Sequence, residues 1–189
     1  MTRLFLRHYI IVLLALAGAC GTSLLAPAAA HAQSSPMDPK SAPTKEQVTK
    51  AISDFVKEPL SPEGIEAAEV IAKYAKDSPD CWLNLTQPIL AFAGSDEGDA
   101  DPLMQYRRLL FVAFLAGNIQ PQVQKGTVKD HSYDGVLQVI KTYDQLRAQN
   151  PKLEIKLIEE FRTKEKGGQL KQWVEDTVAK ETAKGGSQI

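Results

Sequence analysis

Histidine and cysteine, the residue types that dominate metal and nucleophile chemistry, are almost missing from this chain. Its 189 residues include three histidines and two cysteines. No two histidines stand at HExxH spacing, which excludes a zinc site of that kind. No CxxC pair exists, so the metal and redox sites built on that spacing are excluded as well. GxSxG, the phosphate-binding loop and GxGxxG are also absent, and nothing in the chain asks for a cofactor. A basic excess is lacking too. The 22 basic residues against 23 acidic ones leave a net charge of −1, whereas a nucleic-acid binder needs a basic face. No uninterrupted apolar run reaches the roughly 20 residues that a membrane-spanning helix requires.

What is present begins with an export signal. Arg3 and Arg7 give a positive start, and no acidic residue precedes Asp38. Residues 9–19 are apolar, and small residues follow up to Ala30, His31 and Ala32. A basic end, an apolar middle and an A-x-A site make a cleavable signal peptide over residues 1–32. This predicts a periplasmic or secreted protein. A rival reading uses Cys20. The residues before it, Leu16, Ala17, Gly18 and Ala19, resemble a lipoprotein box, and a lipid there would anchor the chain. Cleavage after Ala32 removes two basic residues and no acidic ones, so the charge moves to about −3. It also leaves Cys81 as the sole cysteine and His131 as the sole histidine. No internal disulfide is then possible, and Cys81, beside Trp82 and Leu83, is expected to be a buried packing residue.

The remaining chain reads as one all-α domain over residues 44–180. Residues 33–43 form a proline-rich linker expected to be disordered, and residues 181–189 a polar, glycine-rich tail. Thr44 and Gln47 have capping-box spacing, and Val48, Ala51, Ile52 and Phe55 line one helical face. Ser61 and Pro62 start a second helix, whose apolar positions are Ile65, Ala68, Ile71, Ala72 and Ala75. Ser78, Pro79 and Asp80 repeat the device and predict a third, carrying Trp82, Leu83 and Leu85, with Pro88 kinking or ending it. Residues 109–117 hold no polar side chain, so a helix near 102–117 should lie at the centre with others around it. Beyond the polar residues 125–130, Val136, Val139, Ile140, Tyr143 and Leu146 mark another helix. Asn150 and Pro151 are expected to cap the next, and Gly167 and Gly168 separate it from a last one. About seven helices result, as a bundle or a stack of helix pairs.

Two segments share a pattern. Ala67 and Ile71 are followed eight residues later by Pro79, and Val139 and Tyr143 eight residues later by Pro151. This resembles the second half of a tetratricopeptide motif, and the resemblance covers only these two half-motifs. It implies stacked helix pairs and carries no ligand-binding positions with it.

The candidate chemistry is thin. Asp96, Asp99 and Asp101 form the best metal candidate, a carboxylate-rich loop suited to calcium, although their spacing departs from the D-x-D-x-D-G loop. Acidic residues ahead of a helix also favour its dipole. Arg107 and Arg108 precede the apolar run, and one of them could turn inward to a carboxylate or a ligand acid group. Trp82 could line a groove, although a tryptophan on an apolar helix face is more often core. A Cys81–His131 pair has no local signature, and His131 beside Asp130 reads as a solvated loop residue. The expected function is an exported helical module that binds a protein or peptide partner. The alternatives are an enzyme with a carboxylate and arginine site, or a small-ligand or calcium carrier. Intact-mass measurement of the exported protein checks the first step: a chain starting at Gln33 is expected, and a diacylated Cys20 would show an anchored one.

Overall fold

The computed structural model describes residues 41–184. The expected signal peptide, Cys20, most of the expected linker and the last five residues lie outside them. Among the described residues every regular element is helical. They are α1 (Lys45–Lys57), α2 (Pro62–Asp77), a short α3 (Gln87–Leu90), α4 (Met104–Lys125), α5 (Ser132–Gln149), α6 (Lys156–Lys166) and α7 (Leu170–Ala183), with two 3-10 turns between α3 and α4.

The first two helices form as their caps demand. The Thr44 hydroxyl accepts from the Gln47 N–H at 3.2 Å, while the Thr44 N–H donates to Gln47 Oε1 at 2.8 Å. Two backbone donors at the end of α1 are satisfied reciprocally. Ser61 accepts from the Gly64 N–H at 3.0 Å, and Pro62 occupies the first turn of α2. Gly64 is required there: a Cβ on it would lie 2.2 Å from the Glu58 carbonyl oxygen, across the turn that folds α2 back on α1. Val48, Ile52 and Phe55 of α1 meet Ile71 and Tyr74 of α2 in the core. Ile65 departs from the expected face and is 47% exposed.

Helix α4 is the centre, as its composition predicts. Residues 110–119 are all buried, and α1, α2 and α5 pack around it. It runs past the expected end, through Pro121 to Lys125, and closes on Gly126 in the left-handed region at φ 64°. Its contact with α5 is unusually close. A Cβ on Gly117 would meet the Asp134 carbonyl oxygen at 2.5 Å, and one on Gly135 would meet the Phe114 ring at 2.8 Å. Helices α6 and α7 close one side. Phe161 packs edge-on to Phe92 at 6.3 Å and against Trp173 at 5.5 Å.

Two expected helix starts are absent. Residues 78–86 form no helix, and Ser78 ends α2, its N–H bonded to the Tyr74 carbonyl at 3.0 Å. Pro88 opens the short α3 instead of ending a longer helix. Likewise Asn150 ends α5, its N–H on the Leu146 carbonyl at 2.8 Å, and α6 waits until Lys156. Both prolines of the tetratricopeptide-like pattern, Pro79 and Pro151, therefore lie in irregular segments. The physical reason is the same at each place. Side chains of a neighbouring helix satisfy the extended backbone, so helical hydrogen bonds are not needed there. At the second, the Tyr143 hydroxyl accepts from the Ile155 N–H at 3.1 Å and reaches the Leu153 carbonyl at 3.3 Å. The final helix reaches Ala183, past the expected end at Lys180.

The glycine crossing gives a test. Alanine at position 117 gains about 1 kcal/mol of helix propensity over glycine. Overpacking costs about 1–3 kcal/mol, and here the obstacle is backbone that cannot rotate away. Gly117→Ala is expected to lower unfolding stability in denaturant by about 1–2 kcal/mol; a stabilised variant would show that the helices separate freely.

Candidate functional site

The first buried polar side chains after the apolar run of α4 are Asn118 and Gln122, one turn apart, at 0% and 2% exposure. Buried amides need partners. Gln122 finds them across the structure: its Oε1 accepts from the Trp82 N–H at 3.0 Å, and its Nε2 donates to the Trp82 carbonyl at 2.9 Å. Asn118 Oδ1 accepts from Gln122 Nε2 at 3.0 Å and from the His131 N–H at 2.9 Å. Asn118 Nδ2 donates to Asp130 Oδ1 at 2.9 Å, and that oxygen also accepts from the Asn84 N–H at 3.0 Å. Asp130 Oδ2 accepts from the Ser132 N–H at 3.2 Å. One continuous network thus ties the segment after α2 to the α4–α5 loop.

The network holds Trp82 by its backbone and leaves the residue 41% exposed, contrary to the expected core position. Val128 lies in the α4–α5 loop, just after Thr127, whose N–H donates to the Gln122 carbonyl at 3.2 Å. It is 53% exposed. Trp173, the other tryptophan, is half-buried, with Lys164 over its ring at 5.7 Å. Sequence reasoning named Trp82 but missed Val128, Asn118 and Gln122. The available signal was Asn118 directly after nine apolar residues, with Gln122 one turn on and so on the same face of a buried helix.

The arginine and acidic candidates are drawn together as an internal clasp. Arg107 donates to Asp101 Oδ2 at 2.7 Å and to the Phe92 carbonyl at 2.6 Å. Asp101 Oδ1 accepts from the Leu103 N–H at 2.8 Å, one step before α4 begins. That backbone bond, with the Arg107 guanidinium, holds the Asp101 carboxyl below its ordinary range. Arg108 meets Asp99 at 2.6 Å nearer the surface, and Asp96 joins neither pair. Among the described residues no group of three or more His, Cys, Asp or Glu side chains could hold a metal ion. The arrangement pins the loop before α4; two of its four carboxylates, Asp99 and Asp101, already face guanidinium groups.

A second ionic cluster lies between α5 and α6. Glu159 accepts from Arg147 at 2.7 Å, Arg162 at 2.8 Å and the Tyr143 hydroxyl at 2.9 Å. Burial alone would raise the Glu159 carboxyl, but these donors outweigh it and hold the group below its usual value.

Cys81 is buried, as expected. Burial pushes its thiol up to about 12 with no charged neighbour to offset it, so at neutral pH it is not a thiolate nucleophile. His131 is less solvated than its neighbours in sequence suggest. Its Nδ1 lies 3.0 Å from Asp134 Oδ2, and its buried Nε2 has no hydrogen-bonding partner in the protein. Elsewhere, a cleft of about 330 Å³ is bounded by Pro43, Lys45, Tyr74 and Asp80, where Lys45 bridges to Asp80 at 2.9 Å. In comparison with known proteins, no family model, no curated protein and no solved structure matches this chain.

Removing the Gln122 amide tests the network. Gln122→Ala strands the N–H and the carbonyl of Trp82, at an expected cost of about 2 kcal/mol in denaturant unfolding. Hydrogen exchange should accelerate at the Trp82 amide while the core of α4 stays protected. Unchanged exchange there would mean that the segment is held by something else.

Proposed function

We propose that this chain is an exported helical interaction module whose contact edge is built on Trp82 and Val128. One observation carries the reading. A large aromatic ring stands in solvent while both polar groups of its own backbone are fixed by a buried side chain. Exposure of tryptophan has a cost in water, and fixing its backbone removes ordering entropy before any partner arrives. Rigid, exposed aromatic anchors are the residues on which binding energy concentrates. Export is supported by the layout of residues 1–32, with its basic start, apolar middle and A-x-A end. The ionic clusters fit a supporting role, since Arg107, Arg147 and Arg162 each bind a carboxylate within the domain.

Ile65 supplies an internal control. It is as exposed as Trp82, but it sits in the first turn of α2, whereas Trp82 follows the far end of that helix. A 16-residue helix is about 24 Å long, so the two do not share a patch. A photo-crosslinking side chain placed at position 128 is expected to give adducts in intact cells, and one at position 65 is not. The position-128 adducts should fall at least severalfold on Trp82→Ala. Equal labelling at both positions, or none at 128, would defeat the proposal.

A further inference from the structure

We propose that the cleft between the start of α1 and the end of α2 binds a free apolar α-amino acid as its zwitterion, the carboxylate held by Lys45 and Tyr74 and the ammonium by Asp80. The site is separate from the contact edge, since neither Trp82 nor Val128 lines it. Its parts come together because α2 folds back on α1. Lys45 is the first residue of α1, Tyr74 lies in the last turn of α2, and Asp80 follows three residues after that helix ends.

Tyr74 is what calls for a ligand. It is 1% exposed and belongs to the core with Phe55 and Ile71. Its hydroxyl is buried and has no hydrogen-bonding partner in the protein. The other described tyrosines differ: Tyr106 meets Asn150, Tyr133 meets Glu165 and Tyr143 meets Glu159. A buried hydroxyl without a partner is costly, and native structures keep few of them. The phenol lies toward Lys45. Tyr74 lines the cleft, and Lys45 is held above its ordinary value first by Asp80 and then, in smaller part, by the Tyr74 oxygen. A carboxylate placed there would accept the phenol proton and face the ammonium at once.

The charges of the lining select the rest of the ligand. Lys45 and Asp80 bridge at 2.9 Å, with side chains 46% and 52% exposed. A pair so exposed is weak and opens at little cost. Its opening admits the carboxylate to the phenol, whose oxygen is out of reach of solvent while the bridge is closed. Glu46 also lines the cleft, and its own backbone N–H and the Thr44 hydroxyl hold its carboxyl below the ordinary range. A simple anion taking Lys45 would leave Asp80 uncompensated in a lining that already holds Glu46. A simple amine taking Asp80 would leave Lys45 facing a second ammonium. A zwitterion replaces each half of the bridge with an opposite charge. Ala42, Pro43 and Pro79 supply apolar wall for its side chain. The volume, about 330 Å³, is at the small end of the range for small-molecule sites and suits a single amino acid.

Isothermal titration calorimetry of the exported chain, purified from its own host and dialysed, tests the inference with L-leucine as the probe. Leucine is expected to bind with saturable heat. Two relatives should bind about tenfold more weakly, each having lost one charged hydrogen-bonding group: 4-methylpentanoate, which lacks the ammonium, and 3-methylbutylamine, which lacks the carboxylate. Tyr74→Phe should weaken leucine about tenfold, yet leave the urea midpoint of the free protein unchanged or raised, because the hydroxyl it removes bonds nothing in the folded chain. Asp80→Asn and Lys45→Met, both at exposed positions, should each weaken leucine about tenfold with unchanged circular dichroism. No binding of leucine at about 10 mM overturns the inference, as do equal binding of all three compounds and leucine binding indifferent to Tyr74→Phe. A lowered midpoint in Tyr74→Phe overturns it as well, since the hydroxyl would then be bonded within the free protein. Crosslinking at position 128 is independent of these outcomes, so the contact edge is judged separately.

Discussion

The approach of α4 to α5 through Gly117 and Gly135 sets the geometry on which the rest depends. With no side chain at either position, the two backbones meet where any Cβ would strike a carbonyl oxygen or the Phe114 ring. Close contact brings the start of α5 and the loop before it against the end of α4. Asn118 and Gln122 lie there, buried on α4 just beyond its polar-free run. Their amides can then bond the His131 N–H and, through Asp130, the far segment at Asn84. A wider crossing would leave these buried amides without partners, and each unpaired group costs about 1–3 kcal/mol.

The same device operates twice. Long helices donate side chains that complete the hydrogen bonding of an irregular neighbour. Gln122 of α4 does this for Trp82, and Tyr143 of α5 does it for Ile155. Irregular segments held in this way can be rigid, because their polar groups are satisfied in one arrangement only. That rigidity links packing to the proposed function. Trp82 stands in solvent on a backbone fixed by the core, so contact with a partner would order little that is not already ordered.

Charge is divided along similar lines. Arginines turn to carboxylates inside the domain: Arg107 to Asp101 before α4, and Arg147 and Arg162 to Glu159 between α5 and α6. Lysines 76, 125 and 129 are left to solvent at one end.

Local signals settled much of this protein. The caps at Thr44 and Ser61, the apolar face of α1 and the polar-free run in α4 gave helices close to the expected places, because each depends on neighbours within one or two turns. The burial of Cys81 followed from its apolar setting. Other features could not be read that way. Ser78 with Pro79 and Asn150 with Pro151 are good helix starts by local chemistry, yet both end the helix before them. Their fate was decided by Gln122 and Tyr143, which lie 40 and 12 residues from the groups they bond. The exposure of Trp82, the pairing of Arg107 with Asp101 and the isolation of Lys125 and Lys129 are likewise relations between distant parts of the chain. Sequence determined which stretches could be helical, since that depends on nearest neighbours. Only the tertiary structure decided which side chains complete one another's hydrogen bonds and which are left to face outward.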